Sequence, residues 1–286
     1  MVNLNEDKLV MQSVIGEINS PQVINPYRVS YDGTIKVFPG TGGITYNKRI
    51  GDYVCGMQAD HVEPAVTIKN NTEAQNGALN TFSCIGNIAT VVSGDAKGEK
   101  GYVTGTHGGC EHVLIDFSRE VMEKMVIGDK IQVQAFGTGL EFADNQDIKI
   151  FNIDPTLLKK INPQFNNDIL EFPVTHIVPA KIMGSGLGRD NVNRGDYDIQ
   201  LFDEEVKKEF NLSTLRFGDF VAITDADHSY GRIYKTGAVS IGVVVHSDCI
   251  ISGHGPGVTT ILTSSNGKIK PIIDETANLK KYFYEI

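Results

Sequence analysis

The sequence predicts a mainly β protein with a few short helices, barrel- or roll-like and built in two parts. Three observations carry that expectation. Glycine supplies 30 of 286 residues, against about 7% on average, and so many glycines with few long helical patterns imply many tight turns between short strands. Segments that alternate apolar and polar residues outnumber those with a helical period. A Gly-Asp pair also precedes strand-like residues three times, at Gly51-Asp52, Gly128-Asp129 and Gly218-Asp219. There the glycine permits a positive φ, and the aspartate accepts from nearby backbone N–H groups.

In chain order, residues 33–38 alternate and end at Pro39. Residues 118–125 read as a short helix, and residues 129–135 alternate as a half-buried strand does. Asp154-Pro155 is a helix start, a capping acid followed by proline at the first helical position. Residues 161–167 read as irregular connection. In residues 203–210 acids precede bases, as the helix dipole favours. Residues 238–246 are rich in β-branched side chains and predict a central, buried strand. Residues 276–282 predict a last helix. A boundary near 152–155 separates an amino-terminal β-rich domain, 1–152, from a carboxy-terminal β-rich domain with short helices, 153–286.

With 41% hydrophobic and 21% charged residues, the chain has enough apolar side chains for a core without disulfides. A net charge of −9 with no segregated basic run argues against a nucleic-acid partner. The longest apolar run, residues 239–245, is interrupted by Ser240 and Gly242 and falls far short of the ~20 residues that span a bilayer. The first residues lack signal-peptide character, and Cys55, Cys84, Cys110 and Cys249 are widely spaced. The expectation is a cytoplasmic protein without membrane partners.

Chemistry gathers in four segments. The densest joins Asp225, Asp227 and His228 to His246 and Asp248 through the buried strand. Residues two apart on a strand share a face, so these five side chains could converge as ligands for zinc, manganese or iron. Alternatively, the acids serve turn backbones and the histidines hydrogen-bond in the interior. Beyond them, Gly253, Gly255 and Gly257 surround His254 in a loop able to fold over a site while offering backbone N–H groups. In the second segment Asp60 could orient His61 as a general base, with Glu63 as a further acid. The third holds His107, Cys110 and His112 among glycines. It suggests a ligand trio or an activated thiol, with a plain glycine turn the simpler account. The fourth, residues 183–196, is a glycine loop carrying Arg189 and Arg194; with Arg232 these could hold an anionic ligand.

The segments Ala59-Asp60-His61-Val62-Glu63-Pro64, Gly195-Asp196-Tyr197-Asp198-Ile199-Gln200, Leu215-Arg216-Phe217-Gly218-Asp219 and Gly253-His254-Gly255-Pro256-Gly257-Val258-Thr259 resemble a prokaryotic family known only as a domain of unknown function. The resemblance covers nearly the whole chain and implies a β-rich structure in two parts, with no substrate attached. A weaker similarity is to acetamidase/formamidase-type amidohydrolases, which also set a Gly-Asp turn shortly before an acid–histidine pair, here Gly218-Asp219 and Asp227-His228.

The leading functional expectation is a metal-assisted hydrolase or related enzyme acting on a small polar molecule, with Asp60, His61, Glu63 and His254 handling protons. The competing one is a non-catalytic small-ligand or anion-binding oligomer. In either case a β-rich chain must cover its strand edges, and a homo-oligomer is one common solution.

Overall fold

The computed structural model of the chain describes residues 2–186 and 191–284. Among these, nineteen strands and five short α-helices make the protein mainly β, as the sequence predicts. The amino-terminal part is a closed barrel. Strands β1 (Gln12–Ile18), β5 (Ala65–Lys69), β6 (Ile88–Val91), β7 (Lys100–His107), β8 (His112–Asp116) and β9 (Lys130–Ala135) run in the order β1-β9-β6-β7-β8-β5. Pairing of Glu17 with Lys69 and Ile18 with Ile68 returns β1 to β5 and closes the ring, and β4 (Ile44–Thr45) extends it beyond β5. The inward residues Ile68, Val91, Val103, Ile115 and Val133 fill the barrel, plugged by Leu79 of α1 (Glu73–Phe82).

The carboxy-terminal part is built on a second sheet. Its order is β13 (His176–Pro179), β16 (Phe220–Asp227), β17 (Ile233–Val244), β18 (Gly257–Ser264), β15 (Tyr197–Ile199) and β14 (Met183–Gly186), and β10 (Lys149–Ile150) also pairs with β18. The predicted central strand is β17, in which every residue from Ala238 to Val244 is buried. It has a core on each face: Val243 packs with Phe220 and Leu262, while Val244 packs with Val221 and Val258. A small sheet of β11 (Gln164–Asn166), β12 (Ile169–Val174) and β19 (Ile269–Ile273) seals the first core with Leu170 and Phe172.

The repeated Gly-Asp turns share one geometry. In each, the aspartate accepts from the backbone N–H three residues earlier: Arg49 N to Asp52 Oδ2 at 2.9 Å, Val126 N to Asp129 Oδ2 at 3.0 Å and Arg216 N to Asp219 Oδ2 at 2.9 Å. Two of them open β9 and β16; the first leads only to an isolated Tyr53–Arg216 bridge. The predicted caps form as well. Asp154 accepts from Thr156 N at 2.6 Å to start α3 (Pro155–Ile161), and Asp203 accepts from Glu205 N at 2.9 Å to start α4 (Glu204–Glu209). Ser118 caps α2 (Arg119–Met122), and α5 (Leu279–Tyr284) follows the last strand.

Three local expectations change. Residues 33–38 keep only β3 (Ile35–Lys36), paired with β2 (Arg28–Val29) in a separate arm whose Val29, Ile35 and Val37 face solvent. Residues 164–166, read as irregular, form β11. The longest helix, α1, has no counterpart among the predicted elements. Its inner face is largely amide: Asn76 and Asn80 are buried and both donate to the Glu111 carbonyl, at 3.0 and 3.1 Å. Tertiary hydrogen bonds replace the apolar stripe that pattern reading looks for.

The two parts meet along β7 and β18. Thr259 Oγ1 donates to the Thr106 carbonyl at 3.0 Å, and Gly195 N donates to Thr106 Oγ1 at 2.8 Å. That seam fixes the end of β7 against the start of β18 and β15.

Candidate metal centre

From the amino-terminal side, the β7–β8 hairpin delivers two histidines. His107 ends β7 directly opposite His112, which opens β8. Beneath them lies Glu63, fully buried, accepting from Gly42 N and Thr67 Oγ1, both at 2.7 Å. It also receives His107 Nδ1 at 2.6 Å and His112 Nδ1 at 2.9 Å. Burial alone would raise the Glu63 pKa, yet the two imidazole bonds drive it well below the usual carboxylate range. An ionised carboxylate only accepts, so both rings donate Nδ1–H and keep Nε2 for other partners.

From the carboxy-terminal side come Asp196 and Asp198, two apart around Tyr197 and therefore on one face of the chain as it enters β15. His246 lies just past β17 and donates Nδ1–H to the Ser247 carbonyl at 2.9 Å. Its Nε2 meets Asp196 Oδ2 at 2.7 Å and Asp198 Oδ1 at 3.6 Å. Gly108 N, from the opposite hairpin, donates to Asp196 Oδ1 at 2.6 Å. His254 Nδ1 donates to Asp198 Oδ2 at 3.1 Å and lies 3.3 Å from His61 Nε2. His61, in a left-handed backbone conformation (φ 53°), is oriented by Asp60 Oδ1 at 3.2 Å from its Nδ1. Four imidazoles thus share one small space: ring centroids are 4.1 Å apart for His107–His246 and 5.2 Å for both His61–His246 and His61–His254.

Three groups here have metal-ligand composition, each with ligand atoms within 4.8 Å of one another: His107–Asp196–His246, His61–Cys249–His254 and Glu63–Cys110–His112. Their surroundings separate them. Glu63 is already saturated by donors, which makes it an orienting group. Cys249 donates to Asp60 Oδ1 at 2.9 Å, and burial together with that carboxylate pushes its thiol far above the range in which it would be a thiolate. Burial and Glu63 do the same to Cys110, which speaks against a nucleophilic thiol. His107 and His246 instead have Nδ1 committed and Nε2 aimed at the shared space beside a carboxylate, the arrangement a divalent ion requires.

These contacts set the charges, and an ion binding at His246 would displace its Nε2 proton. Burial lowers the pKa of His61 despite Asp60, keeping that ring neutral. Burial opposes protonation of His246, but Asp196 outweighs it and raises the pKa well above the ordinary value. The Asp198 bond raises His254, and the His246 and His254 bonds hold Asp198 well below the carboxylate range in spite of burial. His61 and His254 form the solvent side, the latter with 35% of its side chain exposed. Two cavities flank the centre. One of about 670 Å³ borders Asp60, and one of about 590 Å³ borders His112 and Cys110, with Arg28 and Thr41 lining both.

Of the residues singled out in the sequence, Asp60, His61, Glu63, His107, Cys110, His112, His246 and His254 meet here. Asp225, Asp227, His228 and Asp248 do not join them. Asp225 sits at a register break with φ 59° and accepts from Gly237 N at 2.8 Å, so the alternation expected to align it with Asp227 is interrupted. Asp227 serves Ser229 N at 2.9 Å, and His228 bonds Thr260 Oγ1 at 2.7 Å on the far face of β18. Asp248 accepts from Cys249 N at 2.8 Å, past the end of β17, where the two-residue rule no longer applies. Gly253 and Gly255 pack against β14 and β15, through Ser185 N to the Gly253 carbonyl at 2.6 Å and Gly255 N to Asp198 at 3.2 Å. A Cβ on Gly257 would overlap Asp196 Oδ2 and His246 Nε2, so this glycine makes room for the centre itself. Arg194 pairs with Glu111 at 3.6 Å; Arg232 lies against the Tyr197 ring, within electrostatic reach of Asp196 and Asp198, and Arg189 falls outside the described residues. Asp198 and the orienting role of Glu63 were not anticipated, although the Asp-x-Asp spacing at 196 and 198 was a legible signal.

Fold and site together define a two-part, mainly β protein with a histidine–carboxylate centre at the junction of its parts. The chain belongs to the family described as "Domain of unknown function (DUF4438)": the N-terminal family model matches residues 27–159 and the C-terminal one residues 158–283. It is similar to a solved structure described as the "Crystal structure of TM1086", at 46% identity and a TM-score of 0.95, with 99% of each chain covered. No curated protein matches the chain, so the likeness to acetamidase/formamidase-type amidohydrolases finds no support. Among the described residues no helix is long and apolar enough to cross a membrane.

Proposed function

We propose that the protein binds a divalent ion, zinc, manganese or iron, through His107, Asp196 and His246, and acts as a metal-assisted hydrolase on a small polar molecule. The observation that carries this reading is the convergence of those three ligand atoms within 4.8 Å, with Nδ1 of each imidazole already committed to Glu63 or Ser247. Imidazole plus carboxylate suits all three metals. A bound ion would supply an acidified water and polarise a substrate carbonyl. His61, neutral and held by Asp60, offers Nε2 as proton acceptor at the rim, and His254 with Asp198 can return the proton. Arg28 and Lys69 along the neighbouring cavities favour a polar substrate. The four cysteines are free, which supports a reducing, cytoplasmic setting.

The protein acts as a homo-oligomer in this reading. The arm around β2 and β3 exposes Val23, Ile24, Tyr27, Val29, Ile35 and Val37, with Ile24 fully exposed, and a two-stranded ribbon is weak alone. Elemental analysis of the purified protein should find about one ion per chain, lost in Asp196→Ala; a screen of small amides and esters should then show metal-dependent turnover. Protein purified without added chelator and containing none of the three metals would overturn the metal reading. Light scattering should give a multiple of 31.2 kDa, and a lone 31.2 kDa species would remove the oligomer.

A further inference from the structure

A second polar cluster lies on the other side of β15 and β18 from the metal centre. Asp196 and Asp198 turn toward His246, so Tyr197 between them turns the opposite way. Its ring is bordered by Arg232, whose guanidinium carbon lies 5.5 Å from the ring centroid, and by His228, with centroids 5.8 Å apart. Both neighbours carry buried nitrogens with nothing to bond. Arg232 Nε and Nη2 are buried and unpartnered, and so is Nε2 of the wholly buried His228. Nε and Nη2 form a single edge of the guanidinium fork, the edge that grips a carboxylate or phosphate through two parallel bonds.

Among the described residues Arg232 is the only charged side chain with buried polar atoms left unpartnered. The charges of Asp196 and Asp198 reach the guanidinium but give Nε and Nη2 no acceptor, and a buried donor left unbonded carries its full desolvation cost, so such a fork is expected to have an occupant. The nearby acids are already engaged: Asp227 serves Ser229 N, Asp196 bonds Gly108 N and His246, and Asp198 bonds His246 and His254. His228 Nδ1 is committed to Thr260 Oγ1, which leaves Nε2 as an additional contact.

We infer that Arg232, His228 and the Tyr197 ring form an anion site that takes a carboxylate or phosphate group through the Nε/Nη2 edge of Arg232. The site faces away from the metal centre, although the charges of Asp196 and Asp198 reach the Arg232 guanidinium. It is reached at the Ser229–Arg232 turn, where Tyr230 is exposed and Arg232 only half-buried.

Calorimetry on the chelator-treated full-length protein, titrated with inorganic phosphate and separately with acetate, tests this directly. At least one of the two should bind, and Arg232→Met should weaken that binding at least tenfold while Arg232→Lys, a point charge without the fork, weakens it less. The stronger ligand identifies the occupant class. Because the titrations use metal-free protein, failure of the metal proposal would not affect this result. Equal binding by wild type and Arg232→Met, or binding of neither anion, would overturn the inference. Should Arg232→Met not fold, a crystal structure of the wild type grown in phosphate decides. Density bridging Nε and Nη2 supports the site, and a protein side chain seated there instead refutes it.

Discussion

Glu63 shows how one buried carboxylate can organise a site it does not itself complete. It fixes the tautomers of His107 and His112, and its own ionisation is secured by their bonds. Glu63→Gln keeps the shape but removes charge and acceptor capacity, and partners of this kind typically tune metal affinity by about 10–100-fold. A competition assay with a chromophoric chelator should show a loss in that range, with the fold intact by circular dichroism. His228 sets a pH dependence of the opposite origin. Burial pushes its pKa down to about 3 from 6.5, so the native state refuses a proton that the unfolded chain accepts. Stability from this group is complete above the unfolded value and is lost as pH falls from about 6.5 toward about 3. Between pH 7 and pH 5 the loss is about 2 kcal/mol from this residue. Denaturant unfolding of wild type and His228→Asn across that interval should show the difference between them shrinking by about that amount, and a constant difference would contradict the assignment.

At the scale of elements, α1 matters more than its length suggests. Asn76 and Asn80 tie the Glu111 carbonyl, and Glu111 sits in the β7–β8 hairpin with φ 58°. That hairpin carries His107, His112 and the Gly108 N–H that holds Asp196. Asn76→Ala leaves the Glu111 carbonyl to Asn80 alone and strands the Asn70 N–H, with an expected cost of about 1–3 kcal/mol. Metal affinity should fall together with stability, in contrast to Asp154→Ala. The latter removes an α3 cap and an acceptor of the buried Asn87 amide, at about 1–3 kcal/mol, and should leave metal binding unchanged, since α3 does not touch the centre.

For the whole molecule, the proposed centre would act as a clasp. His61, Glu63 and His107 belong to the amino-terminal part and Asp196, Asp198, His246 and His254 to the carboxy-terminal part, so an ion bound between them favours the docked arrangement. At 100-fold excess over its dissociation constant it adds about 2.7 kcal/mol. Chelator should therefore lower the melting temperature of wild type by several degrees and leave Asp196→Ala unmoved; equal responses would place the ion elsewhere.

The class of fold is legible in the amino-acid sequence, because the relevant signals are local. Period-two alternation marks β9, β-branched density marks β17, and the aspartates at 154 and 203 mark helix starts through bonds spanning two or three residues. The same locality limited the site. Asp225-x-Asp227 and Asp196-x-Asp198 look alike in sequence, and so do His228 and His246. Only the tertiary structure separated them. A register break turns Asp225 to a backbone turn, while the β7–β18 seam sets Asp196 against a hairpin some ninety residues away. A ligand set is a property of distances between segments remote in sequence, and spacing along one strand carries no information about which face its partner strands supply.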